Sequence, residues 1–299
     1  MELHQLQYFV AVAEEASFTK AATRVHVAQP GVSAQVRRLE SELGQQLLDR
    51  SGRSVRLTEA GTAILPYARA ALDAVANARL AIDELSGLVR GQVAVGMVSG
   101  CALPLLAGLL AGFHDAYPGV SITLTEGNSD RLVGLLAEGR LDLALIGTAT
   151  DPPPGIDTAV IADEELVAIA APSHPLAPAG DNTAGTITVS ALRDVPLVSL
   201  PRGTGVRTAL DAACAQAGFT PRIAFEASAL PMVAHLAAQG LGLAIVPAST
   251  AGTAQTLRIT SPQVRSRLEL AWTSAPPANP AARVLAQHAQ SFAQKLTAP

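Results

Sequence analysis

Ser17 to Leu39, SFTKAATRVHVAQPGVSAQVRRL, reads as two short helices joined by a tight turn. Ser17 opens the first helix, its hydroxyl suited to accept one of the N–H groups that a helix start leaves without a partner. The turn falls at His26, Val27 and Ala28. Pro30 and Gly31 sit just inside the second helix, where proline is tolerated because a first-turn N–H has no intrahelical acceptor. No Ser, Thr, Asp or Asn stands at Ala28 or Gln29, so this helix starts without a side-chain cap, a deficit of about 1 kcal/mol. Val32, Val36, Leu39 and Leu43 follow a helical spacing and form one buried stripe. Opposite them lie Pro30, Ala34 and Arg37, flanked by Ser33 and Arg38. A helix that buries one stripe and offers the other to a partner suits a DNA major groove, which admits a single helix. A plain helical hairpin with a solvated arginine face would share these features.

The flanking sequence adds context. Leu3 to Ala16 reads as a helix with Leu6, Phe9, Val10 and Ala13 on one side. The recognition helix runs out at Gly44, a natural left-handed C-terminal residue. LLDRSGRSVRLT (47–58) reads as two short strands around Ser51-Gly52-Arg53, a wing with an arginine at its tip for a phosphate or the narrow minor groove. Thr58 then caps a long helix, with Glu59 placed favourably in its first turn. Ile64, Ala68, Ala71, Val75, Ala78, Ile82, Leu85 and Val89 recur at alternating steps of four and three, the seam of a coiled coil. Pro66 is expected to bend the helix near its start. A dimer through this seam would bring two recognition helices to two half-sites. The alternative is a helix lying on the chain's own core.

From Gly91 the pattern changes. QVAVGMV, SITLTE, LDLALIG, ELVAIAAP, PLVSL, RIAFE and LGLAIVP are short apolar runs, and helical stretches alternate with most of them. That is an α/β domain with largely parallel, doubly covered strands. Glu126, Leu136, Ala137, Leu141, Leu143 and Ala144 recur one hundred positions later as Glu226, Leu236, Ala237, Leu241, Leu243 and Ala244. Two halves, each strand-helix-strand-helix-strand, would leave a cleft at the carboxyl ends of their strands. Residues 151–155 and 178–186 read as loops.

Composition sets the bounds. At 299 residues, 49% hydrophobic and 15% charged, the chain suggests a globular protein of two or three domains. The N-terminus lacks a signal-peptide pattern and no apolar run has the length of a membrane span, so cytoplasmic residence without a membrane role is expected. The net formal charge is −4, so cationic character must be local: Arg37, Arg38, Arg50, Arg53 and Arg56 cluster in or after the recognition segment. Six scattered histidines show no metal-ligand spacing, and no GxSxG or phosphate-loop motif is present. No enzyme, cofactor or metal is therefore expected. A small-molecule binding protein without a DNA function is the competing class, but it would have no use for residues 1–58.

Four stretches carry a family resemblance. FVAVAEEASFTKAATRVHVAQPGVSAQVRRLESELGQQLLDRSGRSVRLTEAG resembles the N-terminal domain of LysR-type transcriptional regulators. YPGVSITLTEGNSDRLVGLLAEGRLDLALIG, PSHPLA and AAQGLGLAIVPAS resemble their effector-binding domain. The resemblance implies an α/β protein overall: an all-α winged helix-turn-helix (1–58), a dimerising coiled-coil linker helix (59–90) and a periplasmic-binding-protein-like domain (91–299). That domain would hold two α/β subdomains, one of about 91–162 and 267–299, the other of about 163–266, with crossings near Ile161–Glu165 and Pro262–Leu268. It also implies double-stranded operator DNA and a small co-inducer as partners, and a homodimer assembled into a homotetramer.

The resemblance and the helix geometry together assign DNA contacts to Gln29, Pro30, Ser33, Ala34, Arg37, Arg38 and Arg53. Ala34 departs from the polar or basic side chain of many relatives and offers a methyl contact but no hydrogen bond. Ser99-Gly100-Cys101 and Arg202-Gly203-Thr204 lie between a strand and a helix in corresponding places of the two halves. Helix N-termini there suit a carboxylate or phosphate. With Asn128, Ser129 and Thr148 they form the expected effector site, for a small anionic metabolite. Plain helix capping by Ser99, Asn128 and Thr204, with Arg202 solvated, is the alternative. Cys101 and Cys214 raise a thiol-redox response as a second alternative, although inert core thiols fit better.

Overall fold

The computed structural model describes residues 1–51, 54–85, 89–99, 103–177, 185–252 and 254–297. It forms two compact units, Met1–Gly87 and Leu88–Pro299.

The first unit contains α1 (Leu3–Glu15), α2 (Phe18–Arg24), α3 (Gln29–Leu43), β1 (Leu48–Asp49), β2 (Arg56–Leu57) and α4 (Glu59–Leu85). Ser17 caps α2 by accepting the Lys20 N–H at 3.4 Å, and α3 starts at Ala28 without a side-chain cap. Gly44 ends α3 at φ 67°. Val32, Val36 and Leu39 are fully buried with Leu6, Phe9 and Val12 of α1. Two details differ from expectation. The α1 core face runs through Gln5, Leu6, Phe9 and Val12, leaving Val10 and Ala13 half-buried. Leu43 is 37% exposed, because the end of α3 is held by a carboxylate rather than by apolar packing. Glu40 accepts the N–H groups of Leu47 and Leu48 at 3.0 and 3.1 Å and pairs with Arg50 at 2.6 Å.

The β1–β2 ladder pairs Leu48 with Leu57 and Asp49 with Arg56, the base of the wing. Gly52 and Arg53 at its tip lie outside the described residues. Thr58 accepts the Gly61 N–H at 3.0 Å and donates to the Gln46 carbonyl at 2.6 Å, tying the start of α4 to the wing. The heptad seam of α4 divides. Ile64, Ala68 and Ala71 pack on the unit's own core, whereas Val75 is 39% exposed and Ala78 is exposed. The side chains of Ile82 and Leu85 lie outside the described part. Val89 falls beyond the end of α4 and packs in the second unit's core, so it does not belong to the seam.

The second unit contains β3 (Gly91–Val98), α5 (Leu103–Ala116), β4 (Val120–Gly127), α6 (Ser129–Ala137), β5 (Leu143–Thr148), β6 (Ile156–Ile169), β7 (Gly185–Thr188), β8 (Leu197–Ser199), α7 (Gly205–Gln216), β9 (Ile223–Glu226), α8 (Leu230–Ala238), β10 (Leu243–Pro247), β11 (Thr256–Thr260), β12 (Arg265–Thr273) and α9 (Pro280–Thr297). Strands run in the order β4-β3-β5-β12-β6-β10-β8-β9, with β11 on β6 and β7 on β11. Within each half, β3-β4 and β3-β5, or β8-β9 and β8-β10, are parallel. The centre is not. β12 runs antiparallel to both β5 and β6, and β6 antiparallel to β10, which makes the sheet mixed rather than largely parallel.

β6 joins the halves. Ile156 to Glu165 pairs with β12, and Leu166 to Ile169 with β10. The apolar runs in the sequence do not mark the first part of β6 or any of β12, because charged side chains interrupt both. Those charges pair across the ladder, Arg265 with Asp163 at 2.9 Å among them. Residues 151–155 are a loop, while Gly185 and Thr186 open β7 and 178–184 lie outside the described residues. α9 covers the first half, placing Ala281, Leu285 and Ala289 against Val93, Val95 and Trp272.

Candidate functional site

In the first unit the outward face of α3 presents Gln29, Pro30, Ala34, Arg37 and Arg38 to solvent, with Ser33 half-buried. Its electrostatics follow from which arginines are already engaged. Arg50 belongs to Glu40 and lies 4.9 Å over the Phe18 ring. Arg24 pairs with Glu14 and Glu15 at 2.8 and 3.4 Å, and Arg69 with Glu14 at 2.8 Å. Burial pushes the Glu14 carboxyl up, yet the Arg69 and Arg24 guanidiniums together hold it below the ordinary carboxylate range. Arg37 and Arg38 have no acidic partner among the described residues and remain available to phosphates or base edges, whereas Arg56 stands opposite Asp49 in the wing ladder. Glu14 and Glu15, which precede the recognition segment, are thus neutralised within the fold, and Arg37 and Arg38 leave the outer face of α3 cationic.

In the second unit a cavity of about 850 Å³ opens between the two α/β halves. Its floor is the β6–β12 ladder, where Ser266 pairs with Glu164 and Leu268 with Ala162 in register. The starts of α6 and α7 form walls; the N–H groups of Asp130 and Arg131 in α6 are already engaged, whereas α7 starts without a side-chain cap. Asn128 accepts the Arg131 N–H at 3.0 Å as the cap of α6, and Ser129 Oγ accepts the Gly147 N–H at 3.1 Å. Thr204 Oγ1 donates to the Pro201 carbonyl at 2.8 Å.

Of the residues expected to meet an effector, Ser99, Asn128, Ser129 and Thr204 line this cavity. Gly100 and Cys101 lie outside the described residues. Thr148, Arg202 and Gly203 stand outside the lining. Thr148 Oγ1 donates to the buried Glu269 at 2.8 Å. Residues 202 and 203 turn backbone, not side chain, toward α6. The Arg202 carbonyl accepts from Asn128 Nδ2 at 3.3 Å, the Gly203 carbonyl accepts the Asp130 N–H at 3.2 Å, and the Arg202 side chain is exposed. Gly203 takes φ 82°, where a Cβ would come within 2.8 Å of Asn128 Nδ2.

The charged groups that do line the cavity are Arg131, Arg267 and Glu164, none anticipated from the sequence. Arg131 has no acidic partner among the described residues. Arg267 contacts Glu269 at 3.1 Å and Asp151 at 3.6 Å. Glu269 is 1% exposed and one of its oxygens has no hydrogen-bond partner among the described residues. Cys214 is buried, and burial, with Asp211 nearby, pushes its thiol up to about 11, far from the thiolate a redox sensor needs. Among the described residues no His, Cys, Asp or Glu cluster could hold a metal, and no helix is long and apolar enough to cross a membrane.

Residues 3–62 match the family described as bacterial regulatory helix-turn-helix protein, lysR family, and residues 86–294 match the LysR substrate binding domain. The HTH-type transcriptional regulator ShiR of Corynebacterium glutamicum is 37% identical over 256 residues, covering 84% of each chain. Among solved structures, a full-length OxyR variant from Pseudomonas aeruginosa superposes with a TM-score of 0.70 at 26% identity, over 98% of this chain and 94% of that one. Full-length CbnR in complex with its target DNA gives 0.64 at 28% identity, over 98% and 100%.

Proposed function

The chain belongs to the LysR family of DNA-binding transcriptional regulators with an effector-binding domain, and from that premise we propose how it reads DNA and what controls it. α3 enters the major groove of an operator half-site, with Gln29, Ser33 and Arg37 toward base edges, Pro30 and Ala34 in apolar contact, and Arg38 and Arg53 on the backbone. Dimerisation uses the later part of α4, where the seam residues Val75 and Ala78 are exposed, and dimers associate into a tetramer. The protein acts in the cytoplasm. The cavity takes a small anionic effector.

What carries the effector reading is Arg131. Its guanidinium is unpaired among the described residues and lies on a cavity wall beside the capped start of α6. A carboxylate there would gain a charge-assisted contact from Arg131, and the start of α7, which has no side-chain cap, lines the same cavity. Titration of a panel of carboxylates and their matching primary amides tests this by calorimetry. Arg131→Ala should lower affinity for the best carboxylate by about tenfold, an ordinary charge-assisted contact. Arg202→Ala should change it little. Equal binding of amide and acid, or unchanged affinity in Arg131→Ala, would exclude the assignment.

A further inference from the structure

We infer that the effector carries a hydrogen-bond donor, a hydroxyl or an ammonium group, besides its anionic group, and that Glu164 and Ser266 receive it. This rests on reading the cavity as the effector site. Glu164 on β6 and Ser266 on β12 are direct cross-strand partners, so their side chains leave the same face of the ladder, and both line the cavity. The Ser249 N–H donates to Glu164 Oε2 at 3.0 Å and fixes the carboxylate's aim. The other Glu164 oxygen has no partner among the described residues. Ser266 is only 8% exposed, yet its hydroxyl has no hydrogen-bond partner among the described residues and faces the cavity.

The other charges do not relieve this carboxylate. Arg267 is held by Glu269, Asp151 and the Thr150 carbonyl, and Arg131 belongs to a different wall. A ligand that is anionic and otherwise apolar would cover Glu164 and leave one oxygen of a desolvated carboxylate with nothing to accept from. A second anionic group would meet like charge. A hydroxyl or ammonium resolves both conditions, since it donates to Glu164 while the Ser266 hydroxyl donates or accepts as needed. Sites with a buried polar group discriminate strongly against ligands that leave it unpaired.

The test uses full-length protein and straight-chain acids of roughly four to eight carbons, unsubstituted, ω-hydroxy, ω-amino and α,ω-dicarboxylic, with the ω-hydroxy amides as a fifth series, titrated by ligand-observed NMR. At the best chain length the ω-hydroxy or ω-amino acid should bind at least about tenfold tighter than the unsubstituted acid or the diacid. Glu164→Gln keeps an acceptor oxygen for the Ser249 N–H but adds a donor amide. It should abolish the ω-amino advantage and raise diacid affinity. Ser266→Ala should weaken the ω-hydroxy acid by about threefold. An unsubstituted acid or diacid binding as tightly as the donor-bearing acids in the native protein overturns the inference. So does a preference unchanged in Glu164→Gln, or no binding by any compound at about 10 mM, beyond the weakest specific range. An ω-hydroxy amide binding as well as the acid would instead remove the anionic half of the reading, with the donor preference still standing.

Discussion

The two halves of the second unit share one plan and use it differently. β3-α5-β4-α6-β5 and β8-α7-β9-α8-β10 have the same order, and the residues repeated at an offset of one hundred fall in matching elements. Leu136 and Leu236 lie in α6 and α8, Leu143 and Leu243 open β5 and β10. These shared positions are mainly apolar, and Leu136, Leu143, Ala144, Ala237, Leu243 and Ala244 among them are buried in the cores. The halves part company at the carboxyl ends of the strands. In the first, Asn128 caps α6 and Arg131 faces the cavity unpaired. In the second, α8 has no side-chain cap, and α7 sets Gly205 directly on Gly147 of the other half. Repetition supplies the scaffold; departures from it supply the site.

The largest test of that contrast compares glycines of the two halves. A Cβ at Gly205 would lie 2.4 Å from the Gly147 carbonyl carbon and 2.6 Å from the Thr148 nitrogen, backbone atoms that cannot step aside. Gly205→Ala should cost about 3 kcal/mol, the upper range of overpacking. Gly108, inside α5, has nothing within 4 Å of its Cβ position, so Gly108→Ala should stabilise by about 0.5–1 kcal/mol through helix propensity. Trp272 is the only tryptophan and is buried in the second unit, so urea unfolding followed by its fluorescence reports both. Equal effects at the two glycines would mean that the halves are not locked where α7 meets β5.

A smaller effect is expected at Arg207. Among the described residues it and Glu269 are the two charged residues that are buried. Arg207 donates to Asp211 at 2.9 Å and, at 3.4 Å, to Glu226 and to the Leu200 carbonyl, tying α7 to the ends of β8 and β9. Glu226 is the repeat partner of Glu126, which is exposed and has no such arginine. Arg207→Met should therefore cost about 2 kcal/mol through loss of its charge-assisted contacts to Asp211 and Glu226, the Leu200 carbonyl keeping the Ser199 hydroxyl as donor, while Glu126→Gln should be near neutral. The same urea titration measures both.

Part of the candidate site is legible in the sequence and part is not. Val32, Val36 and Leu39 announce α3 because periodicity is a local signal, and the apolar runs of β3, β5 and β10 do likewise. Ser99, Asn128, Ser129 and Thr204 were findable because a helix start after a strand has a recognisable chemistry. Glu164, Ser266 and Arg267 were not, since their strands carry charges that mask the β pattern and gain meaning only once β6 and β12 pair across a hundred residues. Arg202 was misplaced for a related reason. Its position in the chain fits a ligand contact, but its carbonyl, not its guanidinium, faces α6.

The smallest effect is a cap that the two halves do not share. Asn128 Oδ1 caps α6, and its Nδ2 reaches the Arg202 carbonyl of the opposite half. Ala229, which opens α8 with extended backbone at φ −119° and ψ 128°, has no side chain that can cap. Asn128→Ala should cost about 1 kcal/mol, and Ala229→Asn, placed on backbone already suited to a cap, should return a comparable amount. Asn128→Asp separates the two roles of the native side chain, because it keeps the acceptor for the Arg131 N–H and loses the donor to Arg202. If Asn128→Asp is as stable as the native protein, the asymmetry is helix capping alone. A loss as large as that of Asn128→Ala would place the weight on the bond between halves, which is where closure of the cavity around an effector would be felt.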